Sequence, residues 1–211
     1  MKVGFSRMAA RCFRAHFAQR SEFGETESMR EPTMSYGQYL AFEASSAQKH
    51  EYLLGAVWAM AGGTLAHARI GAKIGALLSR ELEGRPCAVF SSDLRVRVEE
   101  TDRSTYPDLT VVCGKAQVAK DDPDAVTNPT IVIEVLSDST EASDRGEKFA
   151  HLQRLQSLKE YVLVSQRERR VEVFRRGEGH WIFVTFTSGK VELKSIDALL
   201  EMDSIYADPL A

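Results

Sequence analysis

The segment Ile131-Val132-Ile133-Glu134-Val135-Leu136 constrains this chain more than any other. Five of its six residues are large and apolar, the pattern of a central strand covered on both faces. Glu134 interrupts it. An ionised carboxylate is too costly to bury alone, so Glu134 must be neutral, ion-paired or bound to a metal. A fold that closes its core around this strand therefore has to bring a partner to that position.

A second carboxylate has a similar setting. Asp108 follows Pro107, which marks a strand entry, and opens the apolar run Leu109 to Val112. Side chains alternate along a strand, so Asp108, Thr110 and Val112 share one face, as do Val132, Glu134 and Leu136. If the two strands pair, both carboxylates point to the same side near one end. Two carboxylates about 4 Å apart repel by roughly 4 kcal/mol at an effective dielectric of about 20. A divalent cation removes that repulsion, and oxygen-only ligands suit magnesium or manganese. Spacing alone leaves an ion pair with an arginine equally open. Lys148 shifts the balance toward a metal site. On a helix it shares a face with Leu152 and Leu155, which puts an ammonium on or beside the core-facing stripe. There it would hold the carboxylates together and orient a water. The alternative is a surface pair with Asp144, four residues earlier.

The remaining pattern predicts a mixed α/β fold of strands, one helix and more strands, with helices on the faces of the sheet. Ser35 and Gln38 have capping-box spacing ahead of a short helix. Residues 51–61 read as two short strands turning at Gly55. Thr64 caps a longer helix with Ile70, Ile74, Leu77, Leu78 and Leu82 at helical spacing, ended by Gly84. Residues 87–92 and 94–100 read as strands, the second half-exposed. A polar loop rich in Lys, Asp, Pro and Asn is expected between the Asp108 and Glu134 strands. A helix over 141–155, a three-stranded meander, and a last helix capped by Ser195 complete the reading.

Net charge of −3 means that any field attracting a polyanion must be local. No run approaches the roughly 20 apolar residues of a membrane helix. Cys12, Cys87 and Cys113 are odd in number and lack CxxC spacing, which argues against a disulfide framework and a structural zinc site and points to a reducing, cytoplasmic setting. Residues 1–30 are expected to form a flexible extension: Lys2, Arg7, Arg11, Arg14 and Arg20 precede the first acid, Glu22, as in a transit peptide, or else initiation lies at Met29 or Met34. The histidines form no HExxH pattern, Gly62-Gly63 belongs to no Walker loop, and Ser137, Ser139 and Ser143 lack a nucleophile elbow. Arg167, Arg169, Arg170, Arg175 and Arg176 crowd one hairpin, as phosphate contacts or as a solvated turn.

The segments Tyr106-Pro107-Asp108, Ile133-Glu134-Val135-Leu136-Ser137, Asp144-Arg145-Gly146-Glu147-Lys148-Phe149 and Ser157-Leu158-Lys159-Glu160-Tyr161 resemble a bacterial family of Uma-type restriction endonucleases, assigned to the PD-(D/E)XK superfamily. The resemblance runs from about Met34 to Ile205. It implies a restriction-endonuclease-like domain over residues 31–211, a curved central mixed sheet flanked by helices. It also implies Asp108 and Glu134 as ligands of Mg2+ or Mn2+, Lys148 as the third catalytic residue, and Glu51 as an added ligand. The superfamily's usual lysine slot, two positions after the acid, holds Leu136 here, and the lysine moves to the following helix. His67, where the family often has a histidine, is a candidate substrate contact or a solvated helix-start residue. The activity implied is metal-dependent endonucleolytic hydrolysis of nucleic acid, with DNA expected and a homodimer expected because cutting both strands needs two sites. The alternative is a nuclease-like fold that binds nucleic acid or protein without catalysis.

Overall fold

The computed structural model describes residues 33–210. The expected N-terminal extension, residues 1–30, lies outside them. The helix α1 (Tyr36–Ser45) starts at the expected capping box, Ser35 with Gln38. Strands β1 (His50–Leu53) and β2 (Ala56–Ala59) form a hairpin. Leu54 and Gly55 both have positive φ, 49° and 92°, as a two-residue hairpin turn of the primed kind requires. A Cβ at Gly55 would also sit 2.5 Å from the Thr33 Cβ, so only glycine fits.

Helix α2 (Leu65–Glu81) begins at Thr64, whose hydroxyl accepts from the His67 amide, and it buries Ile70, Ile74 and Leu78. Each of these contributes roughly 1.5–3 kcal/mol by leaving water. Next come β3 (Cys87–Ser91), β4 (Arg95–Val98), β5 (Arg103–Thr105) and β6 (Leu109–Cys113). The expected polar loop contains two strands instead, β7 (Val118–Ala119) and β8 (Asp122–Val126). Asp and Pro are poor strand formers, which hid β8. Tertiary contacts hold it: Asp122 takes two hydrogen bonds from Arg95 and one from Tyr36. The β4 strand is less exposed than its alternation suggests, because the guanidinium of Arg97 lies 3.6 Å from the centre of the Tyr36 ring of α1.

The β9 strand (Ile131–Leu136) is buried at every position. After it, the expected helix over 141–155 is shorter and interrupted. A helical turn α3 (Glu141–Ser143) runs into a π turn (Asp144–Lys148) and then α4 (Phe149–Leu152). The meander follows as β10 (Glu160–Ser165), β11 (Val171–Arg176) and β12 (Trp181–Phe186). Ser195 does not cap a helix. Lys194–Ile196 is a single 3-10 turn, Asp197 adopts the left-handed conformation, and β13 (Lys190–Leu193) pairs with β14 (Ala198–Glu201) before the short α5 (Met202–Ile205). Pairing across the hairpin outweighed the helical spacing of Ile196, Leu199 and Leu200.

The fold is mixed α/β, as expected, but its strands divide between two large sheets rather than one. One sheet has the order β2-β1-β5-β4-β8-β7 and the other β12-β11-β10-β9-β6-β3. The chain crosses between the sheets several times, and the passage from β5 to β6 is made at Tyr106-Pro107-Asp108, where proline has no N–H to give a ladder. In the second sheet β9 runs parallel to β10 and antiparallel to β6. Its odd residues, Ile131, Ile133 and Val135, face α2 in one hydrophobic cluster. Val132 and Leu136 face the other way, into a cluster with Val96, Leu152 and Tyr161. Glu134 belongs to that second face.

Cys87 and Cys113 lie directly opposite in the β3–β6 ladder and are joined by a disulfide. Counting three cysteines by parity concealed the pair, because strand register rather than spacing brings it together. The cysteine argument for a reducing compartment falls with it. Among the described residues no helix is long and apolar enough to cross a membrane.

Candidate active site

The register of β6 against β9 places Thr110 opposite Val132 and Leu109 opposite Ile133, and continued one residue further it brings Asp108 opposite Glu134. The two carboxylates are latched across the strands. The Asp108 amide donates to Glu134 Oε2 at 3.3 Å, and the Val135 amide donates to Asp108 Oδ2 at 2.7 Å. Both line one cleft of about 240 Å3. The pairing anticipated from alternation is the one observed.

Glu51 reaches the same cleft from the other sheet. It is buried on β1, an interior strand, so it does not face water. Thr105 donates to its Oε1, and Arg103 Nη2 donates to its Oε2 at 3.0 Å. Alternation on β5 sends Arg103 and Thr105 to the same side, toward Glu51.

Lys148 joins the two sheets. Its Nζ lies 3.0 Å from Glu51 Oε1, 3.1 Å from Glu134 Oε1 and 3.3 Å from Asp144 Oδ1. Only 6% of Lys148 is exposed, and Asp144 is equally buried at 2%. The Asp144–Lys148 pair is therefore no surface pair. It sits in the π turn, a local helical widening found mostly at functional sites. The hydroxyl of Tyr161, on β10, donates to the Asp144 carbonyl and ties the turn to the sheet.

The charges are unevenly matched. Burial opposes the charged ammonium of Lys148, but Glu134, Glu51 and Asp144 outweigh it and raise its pKa, so it stays protonated. Burial also works against an ionised Glu51, yet Lys148 and Arg103 prevail and lower its pKa. Glu134 goes the other way. Burial raises its pKa well above the carboxylate range, Lys148 opposes the rise, and Asp144, Asp108 and Glu51 add to it. Its Oε1 is buried and, although near Nζ, receives no well-directed hydrogen bond. Glu134 is thus a carboxylate left in want of positive charge.

His67, in the first turn of α2, places Nε2 3.2 Å from Asp108 Oδ2. That hydrogen bond raises its pKa against the effect of burial. It is a paired residue of the cleft rather than a solvated helix start. A Cβ on Gly63 would come within 2.8 Å of its Nδ1, so the glycine makes room for the ring.

Among the described residues no three His, Cys, Asp or Glu side chains form a ready cage for an ion. The donor set still suits a hard divalent cation. Magnesium is commonly held by one or two carboxylates, with water and substrate phosphate completing its shell. Asp108 and Glu134 would supply those carboxylates, and the buried Oε1 of Glu134, without a hydrogen-bond partner, fits such a group.

Two residues of this cluster were absent from the set expected as catalytic. Asp144 was visible only as the i,i+4 partner of Lys148, and burial decides its importance. Arg103 gave no local signal, because its role depends on β1 pairing with β5. The arginine-rich hairpin, by contrast, spends its charges within the chain. Arg167 pairs with Asp138, Arg169 with Asp203, Arg170 with Glu168 and Glu172, and Arg175 with Glu160. Arg176 donates to the carbonyls of Gln153, Leu155 and Leu158.

Residues 36–205 match the family model Uma2, described as "Putative restriction endonuclease". Uncharacterised protein slr1290 of Synechocystis sp. is 34% identical over 177 residues, 83% of this chain and 92% of the relative. A second Synechocystis protein, sll1609, also uncharacterised, is 29% identical over 162 residues, 76% of this chain and 92% of the relative. The fold is similar to the crystal structure of a "putative nuclease belonging to DUF820" from Anabaena variabilis, with a TM-score of 0.64 and 18% identity over 76% of this chain and 91% of that one.

Proposed function

The chain belongs to the Uma2 family, whose description is "Putative restriction endonuclease", and on that premise we propose that it is a metal-dependent endonuclease that hydrolyses phosphodiester bonds in DNA. The observation that carries the reading is the convergence of Asp108 and Glu134 from one sheet, Glu51 from the other, and Lys148 from the π turn on a single cleft.

In this reading Asp108 and Glu134 hold Mg2+ or Mn2+, with Glu51 close enough to the cluster to add a ligand. When bound, the cation polarises the phosphoryl oxygen and lowers the pKa of a water. The chain's own residues do the rest. The Val135 amide and the His67 ring fix the Asp108 carboxylate, so its orientation does not depend on substrate. Lys148 remains charged, and its ammonium would orient the attacking water and neutralise charge developing on the phosphate. Glu51, Arg103 and Asp144 keep that ammonium in place. The apolar packing of β9 beneath the cleft holds the carboxylates in a site of low polarity, where each of these interactions is stronger than in water.

The test is calorimetric titration of magnesium and manganese into the wild type and Glu134→Gln, with plasmid nicking measured alongside. Binding and nicking that both vanish in the variant support a nuclease built on this carboxylate pair. Cation binding without nicking of any substrate favours the non-catalytic binding module. A wild type that binds no cation refutes the proposal.

A further inference from the structure

Trp58 is an aromatic side chain exposed beside the catalytic cluster, and neither the fold nor the proposed chemistry uses it. It is 38% exposed on β2 and lines the same cleft as Asp108, Glu134 and Lys148. Strand register explains why. Trp58 is the direct cross-strand partner of Glu51, so the two side chains leave the hairpin on the same face. The guanidinium of Arg103, itself fully buried, stands 5.7 Å from the indole centre and supports the ring from behind the site. Holding a large apolar ring partly in water next to a charged cluster is unfavourable unless something covers it.

The electrostatics of the cleft narrow what that occupant can be. Lys148 is the one lysine or arginine among the residues lining the cleft, and three carboxylates already surround it. In the adjoining groove Lys49 is paired with Asp93. The cleft therefore offers a nucleic acid little free positive charge of the kind that ordinarily carries duplex binding. An aromatic platform provides another source of affinity. In a duplex the bases stack on one another and present only their edges to a protein. An unpaired base offers its whole face, and stacking on an aromatic side chain then adds affinity regardless of sequence.

We propose that Trp58 is a base-stacking platform and that the substrate presents an unpaired nucleotide next to the scissile phosphate, as a single strand, a frayed end or a flap does. This rests on the nuclease reading above and names the substrate class for the same site. The single-stranded nucleotide stacks on the indole, and its phosphate enters the carboxylate–lysine cluster across the hairpin from Glu51.

The experiment uses a fluorescein-labelled 12-nucleotide DNA strand and the blunt duplex of the same sequence. Anisotropy gives affinity in EDTA at fixed salt, and cleavage is followed in magnesium and in manganese. Wild type should bind the single strand more tightly than the duplex. Trp58→Ala should weaken single-strand binding roughly 5- to 100-fold, the range of one lost base stack, whereas Trp58→Phe keeps most of it. Phe183→Ala, removing a more exposed aromatic on β12 that does not line the cleft, should leave single-strand affinity unchanged. Equal wild-type affinity for both DNAs, or unchanged single-strand affinity in Trp58→Ala, overturns the proposal. So does a Trp58→Ala variant that only converts a dimer to a monomer on sizing chromatography, since Trp58 would then cover a protein contact. Failure of the two readings is distinguishable. Loss of single-strand affinity with no DNA cut under either metal keeps the platform and removes the nuclease. Duplex cut in magnesium by a Trp58→Ala protein of unaltered affinity does the reverse.

Discussion

Replacing Lys148 by methionine probes the logic of the site most directly. Methionine keeps much of the side-chain length and deletes the charge. Three carboxylate oxygens lie 3.0, 3.1 and 3.3 Å from Nζ. At an effective dielectric of about 20, each contact represents on the order of 5 kcal/mol of gross attraction. Most of that is offset by the cost of taking an ammonium and its partners out of water. What remains after the substitution is Glu51, Glu134 and Asp144 facing one another with no shared cation, and unpairing buried charge in this way costs about 3–5 kcal/mol. For a domain of this size that is a fall in melting temperature of about 6–20 °C. Urea unfolding in EDTA and in saturating magnesium measures it. In EDTA the loss should be complete. In magnesium the variant itself should gain stability, about 2.7 kcal/mol when the cation concentration is a hundred times its dissociation constant. A variant as stable as the wild type in EDTA would show that the ammonium does not neutralise the cluster. A variant no more stable in magnesium than in EDTA would show that the carboxylates do not form a cation site.

Glu134→Gln should have the opposite sign, because it removes the carboxylate whose pKa burial raises most against the pull of Lys148. Below the unfolded value, about 4.3, both states hold the proton and the variant should match the wild type. As pH rises toward the raised folded value, the unfolded state releases its proton first, so the wild type loses stability relative to the variant; thermal melts across that window, with a flat difference refuting the assignment, provide the check. The same titration predicts that magnesium affinity measured by calorimetry weakens as pH falls, since the proton on Glu134 competes with the cation; an affinity independent of pH would exclude Glu134 as a ligand. Glu51→Gln leaves Lys148 and Arg103 short of a counter-charge and should destabilise by about 3–5 kcal/mol at neutral pH. Because Lys148 and Arg103 hold the Glu51 pKa down despite burial, that contribution is present above its unfolded value and disappears in acid, and urea midpoints at two pH values would expose an unchanged difference.

Much of the site could be read before any tertiary contact was known. Glu134 betrayed itself as the one charge in an apolar strand, and Asp108 followed because a period of two, applied to both strands, leaves only one way for them to share a face. Lys148 was legible from its place on an apolar helical stripe. The caps at Ser35 and Thr64 and the turn at Gly55 were equally local. These features are encoded within a few residues, where backbone sterics and side-chain alternation act directly. Long-range pairing decided the rest. Only the structure divides the strands between two sheets, brings Glu51 and Arg103 from one sheet to meet Lys148 and Glu134 at the other, and buries Asp144 beside Lys148 in a π turn. It also sets Cys87 opposite Cys113 and turns the Ile196–Leu200 segment into half of a hairpin. In each case the partner lies far along the chain, so the free energy that fixes the position comes from contacts that no local window of residues contains.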